Sequence, residues 1–217
     1  MQQLTTRGWR KIKSVLHPLP PRARNDYATH VPVLIGLAGL RQVERVLELG
    51  CGNYSTQTFL NRSVFPHLKE LRSLENDPLW ARTVSRAVAT DPRCTIAFTG
   101  GPIAAAVAGT DLDYFDLVFV DDSASSEQRA ATIRSLSALR PQNPWLLIHD
   151  YEVADYQRAA SAFKHRFAFK TYNPETAVVS NNNAPFAEFK ALDKRLKANS
   201  SQLEPEDVDA WLGVLRK

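Results

Sequence analysis

The chain has 217 residues, enough for one large domain and short for two, and its 44% hydrophobic and 23% charged residues are ordinary for a globular protein. That balance excludes a disordered chain, and no apolar run approaches the roughly 18 residues that a membrane span needs. The net charge of +4 belongs to the first 30 residues, where six basic side chains (Arg7, Arg10, Lys11, Lys13, Arg22 and Arg24) face one acid, Asp26; the remainder is near neutral, so nucleic acid is not an expected partner. Two cysteines without a paired spacing, Cys51 and Cys94, exclude a disulfide scaffold and a zinc framework and suit a reducing cytoplasm.

Residues 3–16 place Leu4, Trp9, Ile12 and Leu16 among basic residues at helical spacing. His17-Pro18-Leu19-Pro20-Pro21 then forbids continuation of a helix. Residues 1–26 thus read as a basic arm or cap helix. Its charge also suits peripheral contact with an anionic membrane surface, and its acid-poor start has the character of an organelle transit peptide. Tyr27 to Leu40 reads as an apolar helix with Pro32 near its first turn. Strand-like runs follow at Arg45–Leu49, Glu70–Leu74, Thr95–Thr99, Phe115–Asp121 and Trp145–His149, separated by helical patterns at 55–65, 78–89, 102–108, 125–139 and 152–165. Unbroken apolar runs of strand length suit parallel strands buried on both faces, and their alternation with helices predicts βαβ units.

After residue 165 the pattern changes. Arg166–Tyr172 and Thr176–Ser180, joined by Asn173-Pro174-Glu175, predict an antiparallel hairpin, and two helices are expected at 185–197 and 205–215. The expected architecture is a doubly wound, Rossmann-like, mostly parallel seven-stranded sheet with an antiparallel terminal hairpin and helices on both faces. It spans 27–180, with a helical extension at 181–217 packed on the same domain.

Function is concentrated in Glu48-Leu49-Gly50-Cys51-Gly52-Asn53-Tyr54-Ser55-Thr56, a strand that ends in a Gly-X-Gly turn before a helix. Glycine there lets the backbone pass close under a nucleotide-sized ligand, and Ser55 or Thr56 is placed to cap the helix. Glu48 would repel a pyrophosphate but not a cationic ligand, and Ser55 stands where a dinucleotide fingerprint has its third glycine. Glu75, at the end of the next strand, is placed to accept hydrogen bonds from two ribose hydroxyls, and Asp77-Pro78 starts the following helix.

With these residues the sequence resembles the class I S-adenosylmethionine-dependent methyltransferases from about Arg45 to Ser180. The resemblance matches motif I to Glu48-Leu49-Gly50-Cys51-Gly52, the ribose acid to Glu75, and the end of the fourth strand to Phe119-Val120-Asp121-Asp122. It implies S-adenosyl-L-methionine as cofactor. Its binding residues would be Glu48, Gly50, Gly52, Asn53, Ser55, Thr56, Glu75, Asn76, Gly101, Asp121 and Asp122, with Asn76 and the Thr99–Gly101 stretch near the adenine.

The crevice of a doubly wound sheet lies at the carboxyl ends of its strands, which brings His149 and Asp150 forward as candidates to remove a proton from the methyl acceptor. Trp80, Tyr151 and Tyr156 are candidates to line the acceptor pocket. Asp121 and Asp150 also resemble the divalent-metal pair of catechol O-methyltransferase-like enzymes, which would take magnesium. Tyr151 stands where those enzymes place a further amide or acidic ligand, a departure that puts the magnesium in doubt without removing it. A weaker likeness to saccharide and natural-product O-methyltransferases points to a small-molecule or saccharide acceptor. Two alternatives stand beside this reading: an aminopropyltransferase-type enzyme on the same fold, and a non-catalytic methyltransferase-like binding subunit. The sequence is silent on oligomeric state.

Overall fold

The computed structural model describes residues 25–123, 125–182 and 184–216. The expected arm helix at 3–16 lies outside them. The seven strands are β1 (Arg45–Leu49), β2 (Glu70–Glu75), β3 (Cys94–Phe98), β4 (Leu117–Val120), β5 (Trp145–His149), β6 (His165–Phe169) and β7 (Thr176–Ser180). They form one sheet in the order β3-β2-β1-β4-β5-β7-β6, parallel except for β7, which runs antiparallel to both neighbours.

The alternating inward residues explain why these runs are strands. On β4 and β5, Leu117, Phe119, Trp145 and Leu147 enter one apolar layer, while Val118, Val120, Leu146 and Ile148 enter the other. A strand whose two faces are both covered must be apolar throughout, as the sequence pattern required. The first layer is closed by α1 (Val31–Ala38), α2 (Ser55–Leu60), α7 (Phe186–Asn199) and α8 (Val208–Leu215), which bring Leu34, Phe59, Phe189 and Trp211 against the sheet. The second is closed by α4 (Ile103–Val107), α5 (Ser126–Leu139) and α6 (Ala154–Ala159), through residues such as Ile103, Ile133 and Ala159. Each such large side chain removed from water contributes about 1.5–3 kcal/mol. No helix among the described residues is long and apolar enough to cross a membrane.

Helix α3 (Pro78–Ala87) starts as Asp77-Pro78 predicts: the Asp77 carboxylate accepts from the N–H groups of Leu79 and Trp80, at 2.8 and 3.0 Å. The long apolar helix expected from Tyr27 is instead a 3₁₀ turn (Asp26–Ala28) followed by α1, with Thr29 and His30 between them. This break carries two side chains into the site described below.

Candidate functional site

The carboxyl ends of β1, β2 and β4 open onto a cleft of about 640 Å³. Its floor is the turn after β1. Gly50 adopts a φ of +85°, and a Cβ placed on it would lie 2.4 Å from the Asp121 carbonyl oxygen and 2.8 Å from the Asp122 Cα. Only glycine fits both the conformation and the space. Gly52, Asn53 and Ser55 continue the turn along the cleft wall.

Glu75, at the tip of β2, also faces the cleft. Its Oε2 accepts from the Cys51 N–H at 3.2 Å, and its Oε1 accepts from the Asn76 and Asp77 N–H groups at 2.8 and 2.9 Å. The carboxylate is thus clamped between the glycine turn and the start of α3. The Trp80 indole N–H donates to the Cys51 carbonyl, adding a second tie across the same wall. Burial first, then the charges of Glu75 and Glu48, push the Cys51 thiol pKa up, so this cysteine is not a nucleophile.

Glu48 does not line the cleft. It is fully buried beneath the turn, where it accepts from the hydroxyls of Thr56 and Ser73. Burial raises its pKa to about 7 against the pull of the Ser55, Ser73 and Thr56 hydroxyls. The expectation that Glu48 contacts the cofactor is therefore corrected. Side chains alternate along β1, and Glu48 lies within the strand, so it enters the interior layer instead of the crevice. Thr56 is corrected with it: its hydroxyl is buried, accepts from the Gly52 N–H at 3.0 Å and donates to Glu48. Neither Ser55 nor Thr56 caps α2, whose N-cap is Tyr54.

The opposite end of the cleft is built by Asp121 and Arg129, with Tyr27, His30 and Ser123. Arg129 is buried and lies on α5. Its Nε donates to the Asp122 carbonyl (2.6 Å), Nη1 to Asp150 Oδ2 (2.6 Å) and Nη2 to the Ser123 carbonyl (3.0 Å). Nη2 also lies 3.0 Å from Asp121 Oδ1. The two aspartates that resemble a magnesium pair are thereby bridged by a guanidinium. An ion between them would face this fixed positive charge, and the pair does not fit magnesium. Asp150 holds its position with a φ of +57°.

Neither expected base lines the cleft. Asp150 is engaged by Arg129. His149 is buried behind Asp121, with Nδ1 3.3 Å from Asp121 Oδ1 and Nε2 2.9 Å from Thr29 Oγ1. Burial alone would lower its pKa, but the hydrogen bond and charge of Asp121, helped by Asp150, reverse the sign and hold it above the ordinary histidine value. Burial opposes the ionisation of Asp121, yet His149 and Arg129 hold its pKa below the ordinary value. Of the three candidates Asp121, His149 and Asp150, Asp121 is the one that lines the cleft, a correction to the placement of the other two.

A smaller cavity of about 350 Å³ adjoins the first through Asn76 and is lined by Pro102, Ile103 and Asp122. Asp122 Oδ2 accepts from the Thr132 hydroxyl at 2.7 Å, while Oδ1 is buried without a partner among the described residues, and burial raises the pKa to about 6. Gly101 lines neither cavity; its carbonyl accepts from the Thr99 hydroxyl and shapes the loop ahead of Pro102. Of the aromatic candidates, Trp80 lines the cleft, whereas Tyr151 and Tyr156 pack in the second apolar layer, Tyr156 beneath the Arg129 guanidinium.

Sequence reasoning missed Arg129, Thr29 and His30. Arg129 carried a signal, since it immediately precedes Ala130 on the face of α5 that also buries Ile133 and Leu136. Thr29 and His30 carried none, because their partners lie across the fold.

The same architecture occurs in solved structures of other proteins. The spermidine synthase of Thermotoga maritima aligns with a TM-score of 0.55 at 14% identity, over 86% of this chain and 74% of that one. Human methyltransferase-like protein 13 in complex with SAH aligns at 0.54 and 13% identity, over 82% and 93%. SAH-bound methyltransferase PaMTH1 of Podospora anserina aligns at 0.52 and 16% identity, over 68% and 76%. The fold is accordingly the Rossmann-like fold that these methyltransferases and the spermidine synthase share. No protein-family model and no curated protein sequence matches the chain.

Proposed function

We propose that the paired cavities hold S-adenosylmethionine and that the chain is a methyltransferase acting on an oxygen of a small molecule or saccharide. The observation that carries this reading is the clamped Glu75 carboxylate standing beside the Gly50 turn on one cleft wall. When bound, the cofactor supplies an electrophilic methyl group on a sulfonium. Glu75 offers its carboxylate to the ribose hydroxyls while its backbone contacts keep it from rotating. The Gly50 turn admits the ligand close to the main chain. Asn76 and Asp122 offer polar groups to the adenine, Asp122 through its unpartnered Oδ1. Asp121 faces the acceptor and can receive the hydrogen bond of its hydroxyl, orienting it for in-line displacement.

Buried beneath the turn, Glu48 does not itself repel a dinucleotide. Ser55 in place of the third glycine, and β7 inserted antiparallel between β5 and β6, are the features that the dinucleotide-binding order lacks. The coverage of the spermidine synthase favours a second reading, aminopropyl transfer from the decarboxylated form of the same cofactor.

Calorimetric titration with S-adenosylmethionine, S-adenosylhomocysteine and NAD tests the proposal. Micromolar binding of the first two and none of NAD is expected, with binding at least about tenfold weaker in Glu75→Gln, the loss of about one charge-assisted hydrogen bond. Product analysis by mass spectrometry separates methyl from aminopropyl transfer. Absence of binding to all three ligands refutes the enzyme and points to the non-catalytic subunit.

A further inference from the structure

Behind Asp121, two histidines meet in a way that packing alone leaves unexplained. His30 is buried, and neither of its ring nitrogens finds a hydrogen-bond partner among the described residues. Buried polar atoms are nearly always paired, so an imidazole with both nitrogens orphaned calls for a ligand or a cause. Its ring stands edge-on to His149 at a centroid distance of 4.8 Å. Donor atoms of His30, His149 and Asp121 all lie within 4.8 Å of one another.

His149 presents its two ring nitrogens to different partners: Nε2 lies 2.9 Å from the Thr29 hydroxyl, which also lies 3.2 Å from the Asp26 carbonyl, and Nδ1 lies 3.3 Å from Asp121 Oδ1. Nδ1 is therefore the nitrogen aimed at the group, and an ion bound there would replace the proton it shares with Asp121. Asp121 Oδ1 is held from the other side by Arg129. Its Oδ2 takes no hydrogen bond from a described residue.

We propose that His30, His149 and Asp121 form a site for one divalent transition-metal ion of the zinc class, with His149 ligating through Nδ1. Two imidazoles and a carboxylate are the donor set of such ions, whereas magnesium and calcium prefer oxygen alone. Three protein ligands leave the ion an open position, and His30 and Asp121 both belong to the lining of the cleft. The Thr29 hydroxyl supplies the outer hydrogen bond that orients a ligating histidine. Burial keeps the His30 imidazole neutral down to a pKa of about 3, which leaves it a lone pair to donate. The site shares Asp121 with the Asp121–Asp150 pair but not Asp150, and Arg129 contacts Asp121 through Oδ1; its existence does not depend on methyl transfer.

The full chain, stripped with a chelator and dialysed, is titrated with Zn²⁺ by calorimetry, with Co²⁺ by visible absorption, and with Mg²⁺ for comparison. One equivalent of Zn²⁺ is expected, together with Co²⁺ ligand-field bands and no saturable Mg²⁺ binding. His30→Gln and Asp121→Asn should each abolish the Co²⁺ bands, and Thr29→Val should weaken Zn²⁺ by roughly tenfold, the scale of losing an outer-shell partner. Circular dichroism and the metal-free melting temperature show that each variant is folded; His30→Phe, which keeps a ring against Phe119, replaces His30→Gln should that variant not fold. Absence of saturable Zn²⁺ binding overturns the proposal. So does undiminished binding in a folded His30 variant, which would place the ion on another histidine such as His67 or His165.

Discussion

Replacing Glu48 with glutamine tests whether the acid beneath the glycine turn acts as a charge or as a proton carrier. The carboxyl group is fully buried and its pKa is raised from 4.5 to about 7, by burial first and against three hydroxyl contacts. The folded protein therefore keeps a proton that the unfolded chain releases above about pH 4.5. Because the folded pKa is the higher one, this contribution to stability is fully present below the unfolded pKa and is lost as pH rises through about 7. Near 1.4 kcal/mol per unit, the difference amounts to about 3 kcal/mol. Glutamine keeps the shape and cannot ionise. Glu48→Gln should match the parent protein near pH 4.5 and exceed its stability by up to about 3 kcal/mol at pH 8. Urea denaturation of both proteins across this range is the assay. Subtracting the two curves cancels the opposite pH dependence contributed by His30, whose pKa is lowered to about 3. A variant that is less stable by about 1 kcal/mol or more at pH 8 would show that the ionised carboxylate holds the turn, and would refute this account of Glu48.

Gly50→Ala should cost about 1–2 kcal/mol for the left-handed backbone and about 1–3 kcal/mol for the collision with Asp121 and Asp122, and denaturant unfolding should show a loss within that combined range. Arg129→Met should destabilise by about 3 kcal/mol, the low end for a broken buried pair because Asp121 and Asp150 are partly open to water; Arg129→Lys should recover only part of this, since an ammonium cannot reproduce the fork. Asp77→Ala should cost about 1 kcal/mol in thermal unfolding through the lost cap of α3.

The limits of β1, β5 and β7 coincide with the apolar runs that predict them, because burial on both faces leaves a continuous record in sequence. Helices were harder. The pattern at 55–65 yields only Ser55–Leu60, since the Asn61 side chain accepts from the Ser63 N–H and turns the chain away. The pattern at 152–165 yields Ala154–Ala159 and a 3₁₀ turn, because Phe163 is already extended toward β6. The Gly50 turn and Glu75 were legible as a local motif at two successive strand ends. The polar end of the cleft was not. His149 and Thr29 are 120 residues apart, and Arg129 reads in sequence as one more basic residue on a helix.

The close approach at Gly50 has a mechanical consequence for the cleft as a whole. With the Gly50 N–H bonded to the Leu74 carbonyl and the Asp121 N–H bonded to the Leu49 carbonyl, the tips of β2, β1 and β4 are tied in series and nearly touching. A molecule that settles onto the glycine turn would therefore sit against the same backbone that aims Asp121, and binding at the two ends of the cleft is expected to be coupled. Linkage makes such an effect reciprocal: whatever factor one ligand adds to the affinity for its companion, the companion returns.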